Sequence, residues 1–275
     1  MSKGLARVRG IEMAYDDTGG GGAALVLLHG FPFDRSMWRG QASALGGEFR
    51  VVAPDLRGLG ETPLGVDGVS IEGMAEDVAA LLDELGLVRV RIGGLSMGGY
   101  VAFEFFRRFP ERVRALVLAD TRPQADAEDG RRTREETAQR ALKEGMAPIV
   151  ESMLPKLLSA ETRERGGEVL EGVRAMMLGT SPDGAAAALR AMALRRDQTD
   201  LLPSINVPTL ILVGSEDALT PPADAEAMNA KIGGSRLAVV EGAGHLSNVE
   251  RPEEFNRALV EFLRGLPAQA CRVED

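Results

Sequence analysis

The sequence contains very little histidine and cysteine. Its 275 residues include two histidines, His29 and His245, and one cysteine, Cys271. A disulfide within the chain is therefore impossible, and these three side chains cannot build a zinc or iron site made of His and Cys clusters. A lone cysteine near a polar C-terminus is also a poor candidate for a nucleophile. If catalysis uses a histidine as a general base, there are only two to choose from.

Long apolar runs and an excess of basic residues are also lacking. The longest apolar runs, such as residues 23–28, are far below the roughly 18 residues that a membrane span needs, and the N-terminus shows no apolar signal region. The net charge is -9, with basic residues spread along the chain, which argues against nucleic acid as a partner. With 44% hydrophobic residues, the chain can bury a sizeable core. We expect a complete cytoplasmic protein that binds neither membrane nor nucleic acid.

Short β-type runs alternate with helical patterns along most of the chain. From the third run onward the apolar residues do not alternate with polar ones, as in strands buried on both faces of a parallel sheet. Helical spacing of apolar residues occurs between the runs, for example at residues 71–85 and 255–263. The sequence therefore predicts an α/β fold with a mostly parallel, doubly wound sheet. The predicted strands are residues 11–15, 25–28, 50–53, 89–92, 115–119, 209–213 and 236–240.

One connection is much longer than the others. Almost ninety residues separate Asp120 from the strand that begins near Thr209, whereas a crossover helix with its loops needs a few dozen at most. We interpret this insertion, which follows the run at residues 115–119 and which we place after the sixth strand of the complete sheet, as a helical cap over the carboxyl-terminal edge of the sheet. The predicted domains are a core of residues 1–120 and 204–275 and a cap of residues 121–203. Helical cores are predicted in the cap at residues 135–143, 149–158, 168–178 and 185–195.

The most informative motif is Gly-x-Ser-x-Gly, formed by Gly94, Ser96 and Gly98 between a predicted strand and a predicted helix. A nucleophile elbow needs this context, because the sharp turn strains the serine and requires glycine on both sides. The turn exposes the hydroxyl at a helix N-terminus, where free N–H groups favour developing negative charge. The motif alone also occurs in ordinary glycine-rich turns. Its flanking strand and helix make Ser96 the predicted nucleophile.

A serine nucleophile needs a base to take its proton and a carboxylate to orient that base. His245 follows the last predicted strand and lies C-terminal to the serine, in the order expected for this elbow, whereas His29 precedes it. For the carboxylate we favour Asp217, which follows the next-to-last strand, over Asp120, which also ends a strand. The adjacent Glu216 is expected to be solvated.

These motifs, in this order and spacing, resemble the α/β-hydrolase superfamily. The similarity runs from about residue 10 to residue 266, and it includes the segments His-Gly-Phe-Pro-Phe-Asp at 29–34 and Asp-Leu-Arg-Gly-Leu-Gly at 55–60. Within the superfamily the sequence is most similar to the small carboxylesterases and the 3-oxoadipate enol-lactonase group. Haloalkane dehalogenases and epoxide hydrolases of this fold carry Asp at the elbow position. The serine found here argues against both.

The resemblance implies roles for individual residues. It implies a catalytic triad and an oxyanion hole made by two backbone N–H groups, with His29 holding the oxyanion loop. Phe31, Phe33 and Trp38 are candidate pocket walls because they are close in sequence to that loop. Asp55 and Arg57 are interpreted as a buried loop pair at the sheet edge. The resemblance implies that Ser96, Asp217 and His245 form the triad and that the N–H groups of Phe31 and Met97 form the oxyanion hole.

We expect a carboxylesterase that transfers the acyl group of a small ester to Ser96 and then to water. The main alternative is an enol-lactone hydrolase, in which a cap arginine such as Arg195 or Arg196 binds a substrate carboxylate. A ligand-binding sensor with slow turnover, a perhydrolase and an acyltransferase are further alternatives. No Gly-x-Gly-x-x-Gly or P-loop motif occurs, so neither a cofactor nor a metal is expected.

Overall fold

The computed structural model describes residues 1–20 and 24–266, and Cys271 lies outside them. The strands are β1 (Ser2–Val8), β2 (Ile11–Asp17), β3 (Leu25–Leu28), β4 (Val51–Pro54), β5 (Val90–Leu95), β6 (Val113–Ala119), β7 (Thr209–Gly214) and β8 (Arg236–Val240). The α-helices are α1 (Arg39–Leu45), α2 (Ile71–Glu84), α3 (Met97–Arg108), α4 (Glu128–Glu144), α5 (Ala147–Leu157), α6 (Ala160–Arg165), α7 (Glu168–Gly179), α8 (Pro182–Ala193), α9 (Pro222–Lys231), α10 (Ser247–Glu250) and α11 (Pro252–Arg264).

The strands form one eight-stranded sheet in the order β1-β2-β4-β3-β5-β6-β7-β8. All neighbours from β4 to β8 pair in parallel, whereas β2 is antiparallel to both β1 and β4. The predicted mostly parallel sheet is therefore confirmed. The strand β1 was not predicted, and it pairs with β2 through a tight turn at Arg9 and Gly10, both of which have positive φ.

The parallel strands are buried on both faces, as their uninterrupted apolar runs predict. In β3, Val26 and Leu28 pack into the cluster that includes residues of α2 and α3, while Leu25 and Leu27 pack into the cluster with α1 and α11. Two hydrophobic layers therefore cover the sheet. A fully buried leucine or valine contributes about 1.5–3 kcal/mol to folding, so these layers hold the strand ends at fixed positions.

The helix α2 shows how local sequence sets an element. Ser70 precedes it in an extended conformation, and its hydroxyl accepts a hydrogen bond from the Gly73 N–H, which caps the first turn. The helix ends beside Gly86, which has a φ of 65°. Its buried residues follow helical spacing and include Ile71, Met74, Ala75, Val78, Leu81 and Leu82.

Five helices, α4 to α8, lie between β6 and β7. Helices inserted after the sixth strand are therefore confirmed, and α6 is an addition to the four that the sequence predicts. The insertion contacts the core at several points: the Thr180 hydroxyl donates to the Pro32 carbonyl at 2.9 Å, and the Ser159 N–H donates to Glu250 at 2.9 Å. The boundary at residues 121–203 stays a prediction. No helix within residues 1–20 and 24–266 is long and apolar enough to cross a bilayer.

Candidate active site

Loops that follow four parallel strands carry the predicted site residues. Phe31 follows β3, Ser96 follows β5, Asp217 follows β7 and His245 follows β8. Because the carboxyl ends of parallel strands meet at one edge of a sheet, all four loops lie at the same edge. The fold thus brings together residues that are far apart in sequence.

Ser96 lies in a strained turn between β5 and α3. Its backbone has a φ of 54° and a ψ of -114°, a combination that residues other than glycine rarely adopt. Glycine is required on both sides: a Cβ on Gly94 would lie 2.1 Å from the Gly98 carbonyl, and one on Gly98 would lie 2.1 Å from the Leu28 carbonyl oxygen. The structure therefore has the geometry that a nucleophile elbow requires.

Two backbone N–H groups lie beside this turn. Met97 is the first residue of α3, where N–H groups have no partner within the helix. The Gly30 loop packs against the serine, since a Cβ on Gly30 would lie 3.5 Å from the Ser96 Cβ, and Phe31 follows directly. Within the described residues neither the Phe31 nor the Met97 N–H donates to a protein acceptor. Both N–H groups thus lie beside the serine without a protein acceptor among the described residues.

His245 and Asp217 are hydrogen-bonded. His245 Nδ1 lies 2.8 Å from Asp217 Oδ2, and both side chains are buried. Thr220 also holds the carboxylate: its N–H donates to Oδ1 at 3.0 Å, and its hydroxyl donates to Oδ2 at 2.7 Å. The Leu219 N–H also donates to Oδ1, at 2.8 Å. This arrangement leaves Nε2 as the free nitrogen of the imidazole.

The two groups shift each other's proton affinity. Burial disfavours the charged form of His245, but attraction to Asp217 and the hydrogen bond to it outweigh this effect and raise the pKa of the imidazole. Burial likewise disfavours the Asp217 carboxylate, but attraction to His245, their hydrogen bond and the Thr220 donors keep its pKa below the ordinary value. The pair therefore favours a carboxylate beside a basic imidazole.

Asp120, the rival carboxylate, has different partners. Its Oδ1 accepts from the Gly214 N–H at 2.8 Å, and its Oδ2 is hydrogen-bonded to the Ser247 hydroxyl. It forms no hydrogen bond to His245 among the described residues. Burial and repulsion from Asp217 raise the pKa of Asp120 to about 8. Of the two candidates, only Asp217 is hydrogen-bonded to the imidazole in the described structure, and the adjacent Glu216 is exposed.

The other histidine is fully buried away from the cavity described below. His29 Nε2 accepts a hydrogen bond from the Leu56 N–H at 2.9 Å, and Nδ1 lies 2.8 Å from the Gly30 carbonyl oxygen. Burial lowers the pKa of this ring. Its hydrogen bonds join the loop after β3 to the loop after β4, so its surroundings fit the predicted structural role.

Ser96 and His245 open onto the same cavity, which has a volume of about 360 Å³. The lining also includes Phe31 from the core and Met153, Leu157, Leu189 and Met192 from the inserted helices. The Ser96 hydroxyl forms no hydrogen bond to His245 within the described residues, a common situation before substrate binds. A ligand in this cavity would contact the serine, the imidazole and the apolar side chains of the insertion.

The charged lining of the cavity is mainly basic. Arg122, Arg134 and Lys156 line it, against the single carboxylate of Asp126. That carboxylate is already bonded to Arg134 and, at 2.9 Å, to Arg195. Burial disfavours its charged form, but the hydrogen bonds from the two arginines outweigh this effect and lower the pKa of Asp126 to about 2. Arg122 is 3.7 Å from it, and its Nε is buried without a partner among the described residues.

Arg195 and Arg196 do not line this cavity. Arg195 is buried, stacks 4.2 Å from the centre of the Tyr100 ring, and donates to the Gln124 and Met192 carbonyl oxygens. Arg196 is exposed. The arginines that can reach a ligand are therefore Arg122 and Arg134, which the sequence did not single out.

Two further expectations need correction. Phe31 lines the cavity, but Phe33 and Trp38 are buried in the core and do not. Asp55 and Arg57 are buried, but they do not pair with each other. Asp55 pairs with Arg35, and the Arg57 Nε donates to Asp77 at 2.7 Å. Both pairs brace the loop after β4.

Three residues that support the site were missed. Thr220 holds Asp217, Ser247 binds Asp120, and the Glu250 carboxylate accepts from the Gly244 N–H at 2.7 Å. Each lies within six residues of Asp217 or His245, and this closeness in sequence was the one signal that could have marked them as candidates. Their hydrogen-bond partners become evident only in the folded chain. Within the described residues, no three His, Cys, Asp or Glu side chains are grouped as metal ligands.

Known proteins resemble this chain over most of its length. A family model described as the alpha/beta hydrolase fold matches residues 23–252. The chain is 30% identical to 3-oxoadipate enol-lactonase 1 of Acinetobacter baylyi over 243 residues. The aligned region covers 88% of this chain and 89% of that protein.

Solved structures show the same likeness. A thermophilic esterase from Thermogutta terrifontis, solved with malate bound, is 42% identical with a TM-score of 0.93, covering 98% of this chain and 100% of that chain. The enol-lactonase from Burkholderia xenovorans LB400 is 31% identical with a TM-score of 0.88, covering 95% of this chain and 100% of that chain. These proteins match almost the whole length of the chain, including the inserted helices.

Proposed function

This chain is a hydrolase of the alpha/beta hydrolase family, and we propose that it cleaves small carboxylic esters through a covalent acyl-enzyme on Ser96. The observation that carries the proposal is a cavity lined by the strained Ser96 and by His245, which is paired with the buried Asp217, with the unpaired N–H groups of Phe31 and Met97 beside the serine. Each group supplies one requirement of acyl transfer.

In the first half of the reaction, Ser96 Oγ attacks the ester carbonyl carbon while His245 Nε2 takes the hydroxyl proton. Asp217 holds the ring by its Nδ1 hydrogen bond and stabilises the imidazolium that forms. The N–H groups of Phe31 and Met97 donate to the oxyanion, and removing one such donor typically costs about 3–4 kcal/mol of transition-state stabilisation. The intermediate collapses as the alcohol leaves with the proton from His245.

In the second half, water repeats these steps on the acyl-enzyme. His245 takes a proton from water as its oxygen attacks the acyl carbon, the same N–H groups bind the oxyanion, and Ser96 leaves with the proton from His245. The product is a carboxylic acid. The apolar residues from the inserted helices, such as Met153 and Leu189, would contact the acyl or alcohol group, and methionine adapts to ligands of varied shape.

The test is the Ser96→Ala variant with a short p-nitrophenyl ester. We expect a loss of at least about a thousandfold in kcat, because covalent catalysis is removed while binding and oxyanion donors remain. Circular dichroism should show an unchanged fold, since alanine removes only the hydroxyl. Retained activity in a folded Ser96→Ala variant contradicts the proposal. A burst of p-nitrophenol in the wild type would support the acyl-enzyme.

A second candidate, hydrolysis of a carboxylated enol-lactone, is favoured by one observation. The charged lining has three cations, Arg122, Arg134 and Lys156, and one carboxylate that is already paired. A substrate carboxylate would offset that excess and accept from Arg122. Two neighbours are named enol-lactonases, and the structure of the Thermogutta terrifontis esterase contains malate, a dicarboxylate. Ester and enol-lactone hydrolysis use the same steps at Ser96.

A further inference from the structure

Asp120 is a buried acid beside the site that acyl transfer does not use. It follows β6 with a φ of 44° and is 1% exposed. A buried carboxyl normally has a cationic partner, because burying a charge without one is costly. Among the described residues its hydrogen-bond partners are uncharged groups, the Gly214 N–H and the Ser247 hydroxyl. Such a group requires an explanation beyond packing.

Its two hydrogen bonds join the two loops that carry the acid and the base. Gly214 begins the turn that contains Asp217, since the Asp217 N–H donates to the Gly214 carbonyl at 3.1 Å. Ser247 lies two residues after His245, at the start of α10. The Asp120 carboxyl is therefore attached on one side to the Asp217 turn and on the other to the His245 loop.

The surrounding charges determine what its ionisation does. Asp217 faces it from the β7 loop, His245 faces it from the β8 loop, and Arg122 lies two residues along its own loop. Glu250, on α10, is occupied by the Gly244 N–H and by Ser159. Asp120 attracts the imidazolium and raises the pKa of His245, whereas Arg122 lowers it. Asp120 is thus the second acid acting on the base.

We propose that Asp120 is a positioning residue of the hydrolytic site: its carboxyl ties the Asp217 turn to the His245 loop, and the negative charge that it gains with rising pH adds to that of Asp217 in holding a proton on His245. The inference rests on the proposed function for its catalytic meaning. Its central measurement, however, reads the proton on His245 directly and needs no turnover.

The test is a histidine NMR titration of the wild type and Asp120→Asn. The chain has two histidines, so the imidazole spectrum is simple. His29 is an internal control because the charged groups that act on it are Asp55, Asp34 and Arg35, and not Asp120. Asparagine cannot ionise, tolerates positive φ and can still bond to both partners: its oxygen accepts from the Gly214 N–H, and its NH2 donates to the Ser247 hydroxyl, which reverses the direction of that bond. We expect the His245 midpoint to shift to lower pH while His29 is unchanged. An unchanged His245 midpoint in the folded variant would overturn the electrostatic role.

The tie between loops is tested by Ser247→Ala, with Ser215→Ala as the matched control. The Ser215 hydroxyl accepts from the Gly242 N–H at 2.9 Å, so it also joins these two loops but does not touch Asp120. We expect Ser247→Ala to lower kcat by about fivefold, the effect of one hydrogen bond, with KM nearly constant, and Ser215→Ala to change kcat less. Equal losses in both variants, or none in Ser247→Ala, would overturn the positioning role. If Ser96→Ala stayed active, the proposed function would fail while the titration result still stood.

Discussion

His245 Nδ1 lies 2.8 Å from Asp217 Oδ2, and the two side chains are only 2% and 3% exposed. At this depth water cannot compete for the hydrogen bond, so the carboxylate fixes which nitrogen carries the proton. The Thr220 hydroxyl donates to the same oxygen of this carboxylate and lies 3.3 Å from His245 Nδ1. The orientation of the base therefore depends on a small buried network whose members can be removed one at a time.

The first prediction concerns the identity of the acid. Asp217→Asn should lower kcat for a short ester by about 10⁴-fold, because the amide can donate to Nδ1 and favour the wrong tautomer. Asp120→Asn should cost far less, about tenfold or below, since the amide still accepts from the Gly214 N–H and can donate to the Ser247 hydroxyl. Steady-state kinetics on the two variants in parallel measures this. The assignment is wrong if the Asp120 change is the more damaging one.

The second prediction concerns stability and pH. The pKa of Asp120 in the folded protein is about 8, against 3.8 for an ordinary aspartate, so between these values the folded chain keeps a proton that the unfolded chain releases. The free energy of unfolding must then decrease as pH rises through this window. Asp120→Asn removes that contribution and should flatten the decrease.

Urea unfolding of both proteins between about pH 4 and about pH 9 measures the two slopes. His245, whose pKa is also raised, stabilises the fold below the ordinary histidine value and loses this contribution as pH rises through its folded pKa. Because His245 is present in both proteins, some decrease should remain in the variant. A variant with the wild-type slope would show that Asp120 is already ionised in the folded state near neutral pH.

Sequence reasoning reached the central sheet and the site because both depend on local patterns. The run Leu25–Leu28 is apolar without alternation, which predicts burial on both faces, and Gly94 and Gly98 flank a serine at a strand-to-helix junction. The hairpin of β1 and β2 was missed in part, because Leu5 is 65% exposed and its turn uses Arg9 with positive φ in place of the usual Asn or Asp.

The remaining errors concern which side chains meet. The same residue type occurs near both boundaries of the insertion, as Arg122, Arg195 and Arg196. Helical periodicity does not show which of these arginines points into the cavity. The structure separates them: Arg195 is occupied by Asp126 and Tyr100, Arg196 is exposed, and Arg122 lines the cavity. Similarly, no sequence pattern connects Asp120 with Ser247, 127 residues away.

The third prediction tests the packing of the elbow. A Cβ at Gly98 would lie 2.1 Å from the Leu28 carbonyl oxygen, a backbone atom that cannot move aside easily. Gly98→Ala should therefore destabilise the protein by at least about 2 kcal/mol. The control is Gly172→Ala, because Gly172 is an exposed residue within α7 with nothing within 4 Å of a Cβ. That change should stabilise by about 0.5–1 kcal/mol. Equal unfolding midpoints in urea would contradict the close approach.

The fourth prediction tests whether the cavity recognises a carboxylate. Arg122 lines the cavity with a buried, unpartnered Nε in the described structure, whereas Arg196 is exposed and does not line it. Arg122→Met should raise KM for an anionic substrate, the p-nitrophenyl monoester of succinate, by about 10-fold or more, because a charge-assisted hydrogen bond is lost. KM for neutral p-nitrophenyl butyrate should stay within about twofold, since methionine keeps most of the apolar contact.

Arg196→Met is the matched control for this fourth prediction. Both variants lose one positive charge, so the change in net charge is the same in both, and any effect of net charge alone would weaken with salt. Only a direct contact predicts that the anionic ester suffers in Arg122→Met alone. If Arg196→Met raised KM for the anionic ester instead, the exposed Arg196 would be the residue that binds the substrate carboxylate. The side chains around bound substrate would then differ from those that line the cavity in this structure. If Arg122→Met raised KM for both esters equally, the arginine would shape the cavity without binding charge, and a neutral ester would be the better description of the substrate.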